Sequence, residues 1–170
     1  MTDSVGDDHR RSQGRPVSSA DPLSATASSG EPRYYYVDSS SWCKLLINED
    51  ESAALAAFVD HVHSVGGGFL SADLLVTEVW RTVHRIDHDS GNVAVDPANV
   101  TEVLNRVNLF TPDRSIYRDA AHLFAGQAVR SLDAIHVAQC LAVDADVFIS
   151  YDERQLAAAR SVGIKTHSPR

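Results

Sequence analysis

Short β-prone runs alternate with longer amphipathic stretches along this chain, and that alternation limits its fold more narrowly than any other feature. Tyr34-Tyr35-Tyr36-Val37, Phe69-Leu70-Ser71, Leu109-Phe110 and Val147-Phe148-Ile149 read as strands. Between them, residues 39–47, 52–65 and 72–88 carry helical patterns, and in the last of these Leu75, Val79, Val83 and Ile86 recur at spacings of three and four. Asp96-Pro97 opens a further helix through Val107, with proline at a favourable first position. Residues 113–125 are helical, Ser131 caps a helix to about Val143, and a last helix runs over 152–162 with Gly163 as its stop. Strands that alternate with helices predict an α/β fold, a parallel sheet covered by helices. The opening is different. The stretch 12–32 is largely Ser, Ala, Gly and Pro with no aromatic residue, so residues 1–32 are expected to be a disordered extension and 33–170 the folded domain.

Composition excludes some functions. The 170 residues are 44% hydrophobic and carry a net charge of −8, which argues against nucleic-acid binding through a broad basic surface. An enzyme that meets phosphate through divalent cations remains open, because the ions supply positive charge locally. Cys43 and Cys140 stand among apolar neighbours and read as buried free thiols, which suits a reducing cytoplasm. No apolar run is long enough to span a membrane, and the N-terminus has no hydrophobic signal core.

In an open parallel sheet, ligands sit beyond the carboxyl ends of the strands. Asp38 directly follows the first strand and Asp152 follows the Val147–Ile149 run after Ser150 and Tyr151. Asp133 lies in the first turn of its helix, and Glu78 in the second turn after Phe69–Ser71. All four can face one edge of the sheet. A cluster of carboxylates without His or Cys makes a hard-oxygen site suited to Mg²⁺ or Mn²⁺.

Each of three acids has a helix-terminus reading as well. Asp38 and Asp152 stand where N-caps stand, Asp152 with Gln155 fits a capping box, and the helix dipole favours Asp133. Glu78 has no such account. It borders the apolar stripe of Leu74 and Leu75, where an unpartnered carboxylate is costly to bury.

Four segments together resemble the PIN-domain family, and within it the VapC-type toxins. They are Tyr36-Val37-Asp38-Ser39-Ser40, Leu75-Val76-Thr77-Glu78-Val79, the run from Arg130 to Ala138, and Ser150-Tyr151-Asp152 followed by Leu156 and Gly163. The match runs from about Tyr34 to the C-terminus. The resemblance implies about five mostly parallel strands, a Mg²⁺- or Mn²⁺-dependent endoribonuclease, a homodimer, and a cognate antitoxin that blocks the acidic groove. It carries the acidic quartet onto Asp38, Glu78, Asp133 and Asp152, and the small hydroxyl positions onto Ser39 and Ser150.

On this reading Asp38 and Asp133 are direct metal ligands, while Glu78 and Asp152 ligate directly, through water, or orient the nucleophile. Lys44, Arg81, Arg85, Arg114, Arg118, Arg130 and Arg154 are candidates for RNA phosphate contacts, against the ordinary reading of solvated surface charge. His136, three residues after Asp133, reads as a packed, hydrogen-bonded histidine. A phosphatase with an Asp nucleophile would need an acid where Ser40 stands, and no Gly-rich phosphate loop with Lys and Ser/Thr is present. Two alternatives remain: a PIN-like module that binds RNA or protein without cutting, and a nuclease of RNA maturation without an antitoxin.

Overall fold

Strand β1 (Tyr34–Val37) lies at the centre of a five-stranded sheet of order β3-β2-β1-β4-β5, with β2 at Gly68–Ala72, β3 at Asn108–Phe110, β4 at Val147–Ile149 and β5 at Thr166–His167. Every pairing is parallel. The computed structural model describes residues 33–90 and 95–170. The expectation of a disordered 1–32 therefore lies outside the described residues. Seven helices occur among those described: α1 (Ser39–Lys44), α2 (Ser52–Ser64), α3 (Leu74–Ser90), α4 (Pro97–Leu104), α5 (Arg114–Leu123), α6 (Ser131–Ala142) and α7 (Glu153–Ser161).

The strand period of two sends alternate side chains to opposite faces of the sheet. Tyr35, Val37, Phe69, Val147 and Ile149 face one core with α1 to α4. Tyr36 and Phe148 face the other with α5, α6 and α7. Register makes these sets coincide, since Tyr35 is paired with Val147, Tyr36 with Phe148 and Val37 with Ile149. Trp42 is fully buried in the first core, and its indole N–H donates to the Val103 carbonyl at 2.9 Å. That bond satisfies the one polar atom an otherwise apolar burial would strand.

Four local expectations are corrected. Ala72 ends β2 instead of starting a helix, and α3 begins at Leu74. Ser131 is the first helical residue of α6, with Arg130 at the N-cap and no side-chain cap bond. The capping box at α7 is half made: Asp152 accepts from the Arg154 N–H, whereas the Asp152 N–H goes to Ser150 and the Gln155 carbonyl oxygen is buried without a partner. The fourth difference is the edge strand β5, which the strand pattern did not contain: Thr166 and His167 are polar, and they join only because Phe148 and Ile149 are there to be paired. Gly163 ends α7 as expected, at φ +86, a conformation that favours glycine.

The strand order reverses direction between β1 and β4, which is where an open α/β sheet leaves a crevice. Asp38 and Ser150 are the residues that leave those two strands.

Candidate active site

Asp38 caps α1, and its carboxylate is enclosed by hydroxyls. Oδ1 accepts from the Ser41 N–H at 3.0 Å and the Ser41 hydroxyl at 2.8 Å. Oδ2 accepts from Ser40 at 2.8 Å and from Ser150 at 2.9 Å. The Asp38 N–H donates to Ile149 O at 3.3 Å, so the start of α1 is pinned to the end of β4. The carboxylate is 4% exposed, and these bonds satisfy the acceptor oxygens that burial would otherwise strand.

Ser150 couples the first acid to the fourth. Its hydroxyl donates to Asp38 and accepts from the Asp152 N–H at 3.0 Å, which sets the turn from β4 into α7. Asp152 then caps α7 through the Arg154 N–H at 2.9 Å. Burial raises the Asp152 carboxyl, but the Arg154 backbone, side chain and charge, with the Gln155 N–H, outweigh it and hold the group below the ordinary carboxylate value. Asp133, in the first turn of α6, shifts the opposite way. Burial, and after it the charge of Asp152, hold Asp133 above its ordinary value, although Arg130, Arg154 and His136 pull against that. Two carboxyls of one pocket are thus driven apart in acidity.

Glu78 enters from α3, half-buried. Its Oε2 meets His136 Nε2 at 2.9 Å. His136 Nδ1 meets the Tyr36 hydroxyl at 2.9 Å, and that hydroxyl donates to Gln139 Oε1 at 2.6 Å. The partner that a carboxylate beside the apolar stripe requires is therefore a buried histidine.

Asp38, Glu78, Asp133 and Asp152 all line one pocket of about 350 Å³, together with Ser39, Ser40, Arg130, Ser131, Leu132, His136 and Gln155. Among the described residues no three His, Cys, Asp or Glu side chains are already gathered about one ion-sized point. The donor chemistry nonetheless fits a hard divalent ion: carboxylates and hydroxyls, no thiol, and an imidazole engaged at both nitrogens.

The basic candidates divide. Arg130 lines the acidic pocket, and Arg154 stands at its edge, 3.5 Å from Asp152. Lys44 and Arg85 line an adjoining pocket that shares Ser39 and Ser40 with the first. Lys44 is tied to Glu49 and Glu51 and lies over the Tyr151 ring. Arg81, Arg114 and Arg118 are exposed and line neither pocket.

Ser150 is the hydroxyl neighbour that the sequence suggested, whereas Ser39 lines the pocket and leaves the Asp38 contacts to Ser40 and Ser41. Sequence reasoning gave Ser40 and Gln155 no part in the site and passed over Ser41. An N-cap carboxylate faces the second and third residues of its helix, and a Ser-Ser pair there was the available signal. His136 is packed and hydrogen-bonded, as expected, and it also reaches the pocket.

The model of the PIN domain matches residues 35–161. The chain belongs to the PIN-domain family. It is 32% identical over 136 residues to Ribonuclease VapC46 of Mycobacterium tuberculosis, covering 79% of this chain and 96% of that protein. Ribonuclease VapC47 of the same species is 27% identical over 136 residues, with the same coverage. This PIN-domain chain therefore belongs with the VapC ribonucleases. Among solved structures, VapBC2 from Rickettsia felis, bound to a DNA fragment from its promoter, superposes with a TM-score of 0.58 at 11% identity, covering 81% of this chain and 99% of that one. At that identity the likeness speaks for the fold.

Proposed function

We propose that this PIN-domain protein is a metal-dependent endoribonuclease, the toxin of a toxin–antitoxin pair, and that residues 33–170 are its catalytic domain. The observation that carries the reading is the convergence of four acids from four separate elements on one pocket at the β1/β4 switch point. Purely structural capping has no reason to bring Glu78 there.

Asp38 and Asp133 are the ligands of Mg²⁺ or Mn²⁺, and Glu78 and Asp152 complete the shell or orient the attacking water. When bound, the ion supplies positive charge that polarises water and offsets charge on the phosphate undergoing hydrolysis. Ser40, Ser41 and Ser150 hold Asp38 in one orientation before substrate arrives. Arg130 and Arg154, at the pocket and its edge, are the proposed contacts to RNA phosphates, and Arg85 in the adjoining pocket is a further one. With a net charge of −8 the protein has no general attraction for RNA, so binding depends on these local cations and on the metal.

The partners proposed are an antitoxin protein, which the named VapC and VapBC relatives support, and a second copy of this chain in a homodimer. Cys43 and Cys140 are free and buried, and burial pushes their thiols up to about 11 and about 12, in keeping with a reducing cytoplasm. Among the described residues no helix is long and apolar enough to cross a membrane.

The test is cleavage of total bacterial RNA by purified protein with Mg²⁺ or Mn²⁺, beside an EDTA control and Asp133→Asn. Discrete metal-dependent fragments that the variant does not produce are the expected result. Identical behaviour of wild type and variant across metals and RNA pools rejects the catalytic reading.

A further inference from the structure

Glu78 differs from the other three acids in how it is held. Asp38 and Asp152 accept backbone N–H groups as helix caps, and Asp133 sits in the first turn of α6. Glu78 lies within α3, where the backbone offers it nothing, and its one protein partner among the described residues is His136.

That histidine is 2% exposed and engaged at both ring nitrogens. Its far side rests on the Tyr36 hydroxyl, from a residue on β1 that is itself fully buried and stacked on Phe148 at 5.4 Å. Burial pushes the Tyr36 hydroxyl well above its ordinary value, so it stays an O–H donor, and it spans to Gln139 one turn along α6 from His136. The side chains form a line: Gln139, Tyr36, His136, Glu78. A glutamate that is 19% exposed, with three rotatable bonds, ends on a series whose other members cannot move without opening the core.

We propose that His136, backed by Tyr36, is a positioning residue: it takes one oxygen of Glu78 so that the other, which has no hydrogen-bond partner among the described residues, is offered to the cation pocket. This rests on the reading that the four acids hold a divalent ion. It adds a supporting set, Tyr36 and His136, that touches neither substrate nor ion. Loss of such outer partners typically lowers metal affinity about 10- to 100-fold.

The experiment is Mn²⁺ titration of the purified full chain, with free Mn²⁺ read from its electron paramagnetic resonance signal, for wild type, E78Q, H136L, H136Q and Y36F. Unfolding temperatures are recorded in parallel. His136→Leu fills the space without reaching Glu78, whereas His136→Gln places an amide N–H near the former Nε2. The expected pattern is about a tenfold loss of Mn²⁺ affinity in H136L, a smaller loss in Y36F, and recovery to within about threefold of wild type in H136Q. A packing role alone would lower the unfolding temperature and leave Mn²⁺ affinity of the folded protein unchanged. If E78Q weakens Mn²⁺ binding while H136L and Y36F bind as wild type, the positioning role is overturned and the site reading survives. If E78Q also binds as wild type, Glu78 is no part of the cation site, and both fall. Should H136L not fold, Y36F decides: its ring retains the packing and loses only the hydroxyl.

Discussion

Asp133 and Asp152 are chemically the same group in the same pocket, yet they should respond oppositely to removal. Asp133 has a folded-state pKa raised by burial and by the charge of Asp152. A raised value favours the fold only below the unfolded pKa, about 4, and becomes a cost as pH rises through the folded value. In EDTA at pH 7, Asp133→Asn should therefore be more stable than wild type, and the difference should vanish at pH 3. Asp152 is held low by the Arg154 and Gln155 N–H groups once burial is outweighed, so its charge favours the fold above the unfolded pKa. Asp152→Ala loses that and the cap of α7, a cost of roughly 1 kcal/mol. Urea unfolding of the two variants at both pH values decides the matter. A destabilised Asp133→Asn at pH 7 would show that the carboxylate is satisfied without a cation. The sequence made Asp38, Asp133 and Asp152 visible because each follows a strand or opens a helix, and Glu78 because it borders an apolar stripe. It could not display their unequal environments, which depend on partners as distant as residue 136 is from residue 78.

Elements were legible wherever their own residues determine them. The α3 stripe of Leu75, Val79 and Val83 and the β4 triplet lie in the expected places, since period and apolar run are local properties. What escaped was decided by neighbours. Strand β5 exists because β4 offers it a free edge, and Ala72 belongs to β2 because Phe110 lies opposite it. The entry to β1 is another case. Asp146, just before β4, accepts from both the Arg33 and Tyr34 N–H groups at 2.9 Å, while its own N–H donates to Tyr34 O. The carboxylate thereby starts the central pairing from the side of the later strand. Asp146→Ala should cost about 1–2 kcal/mol, with faster amide exchange at Tyr34, and Asp146→Asn, which keeps an acceptor oxygen, should cost less. Unchanged exchange in the alanine variant would mean that strand pairing alone orders this end.

At the scale of the molecule, two apolar cores clamp the sheet from both faces, and the acidic pocket opens at its carboxyl edge where neither core can cover it. Four carboxylates line that pocket with two guanidinium groups nearby, within a chain whose net charge is −8. On the proposed cation reading, the burial and repulsion that raise Asp133 oppose folding when no cation is present, and a divalent ion that binds only the folded arrangement would remove that cost. Stabilisation by Mn²⁺ should then follow mass action, about 2.7 kcal/mol at a hundred times the dissociation constant. For a domain of this size that corresponds to an unfolding temperature higher by roughly 8 °C, at about 3 °C per kcal/mol. NaCl at equal ionic strength should give only a small part of the rise, because screening weakens repulsion without binding. Asp133→Asn should start from a higher metal-free unfolding temperature and gain less from Mn²⁺, so that the two proteins converge as Mn²⁺ increases. If wild type gains no more than the variant, or NaCl matches Mn²⁺, the acids are a general negative patch and the cation site is lost with them.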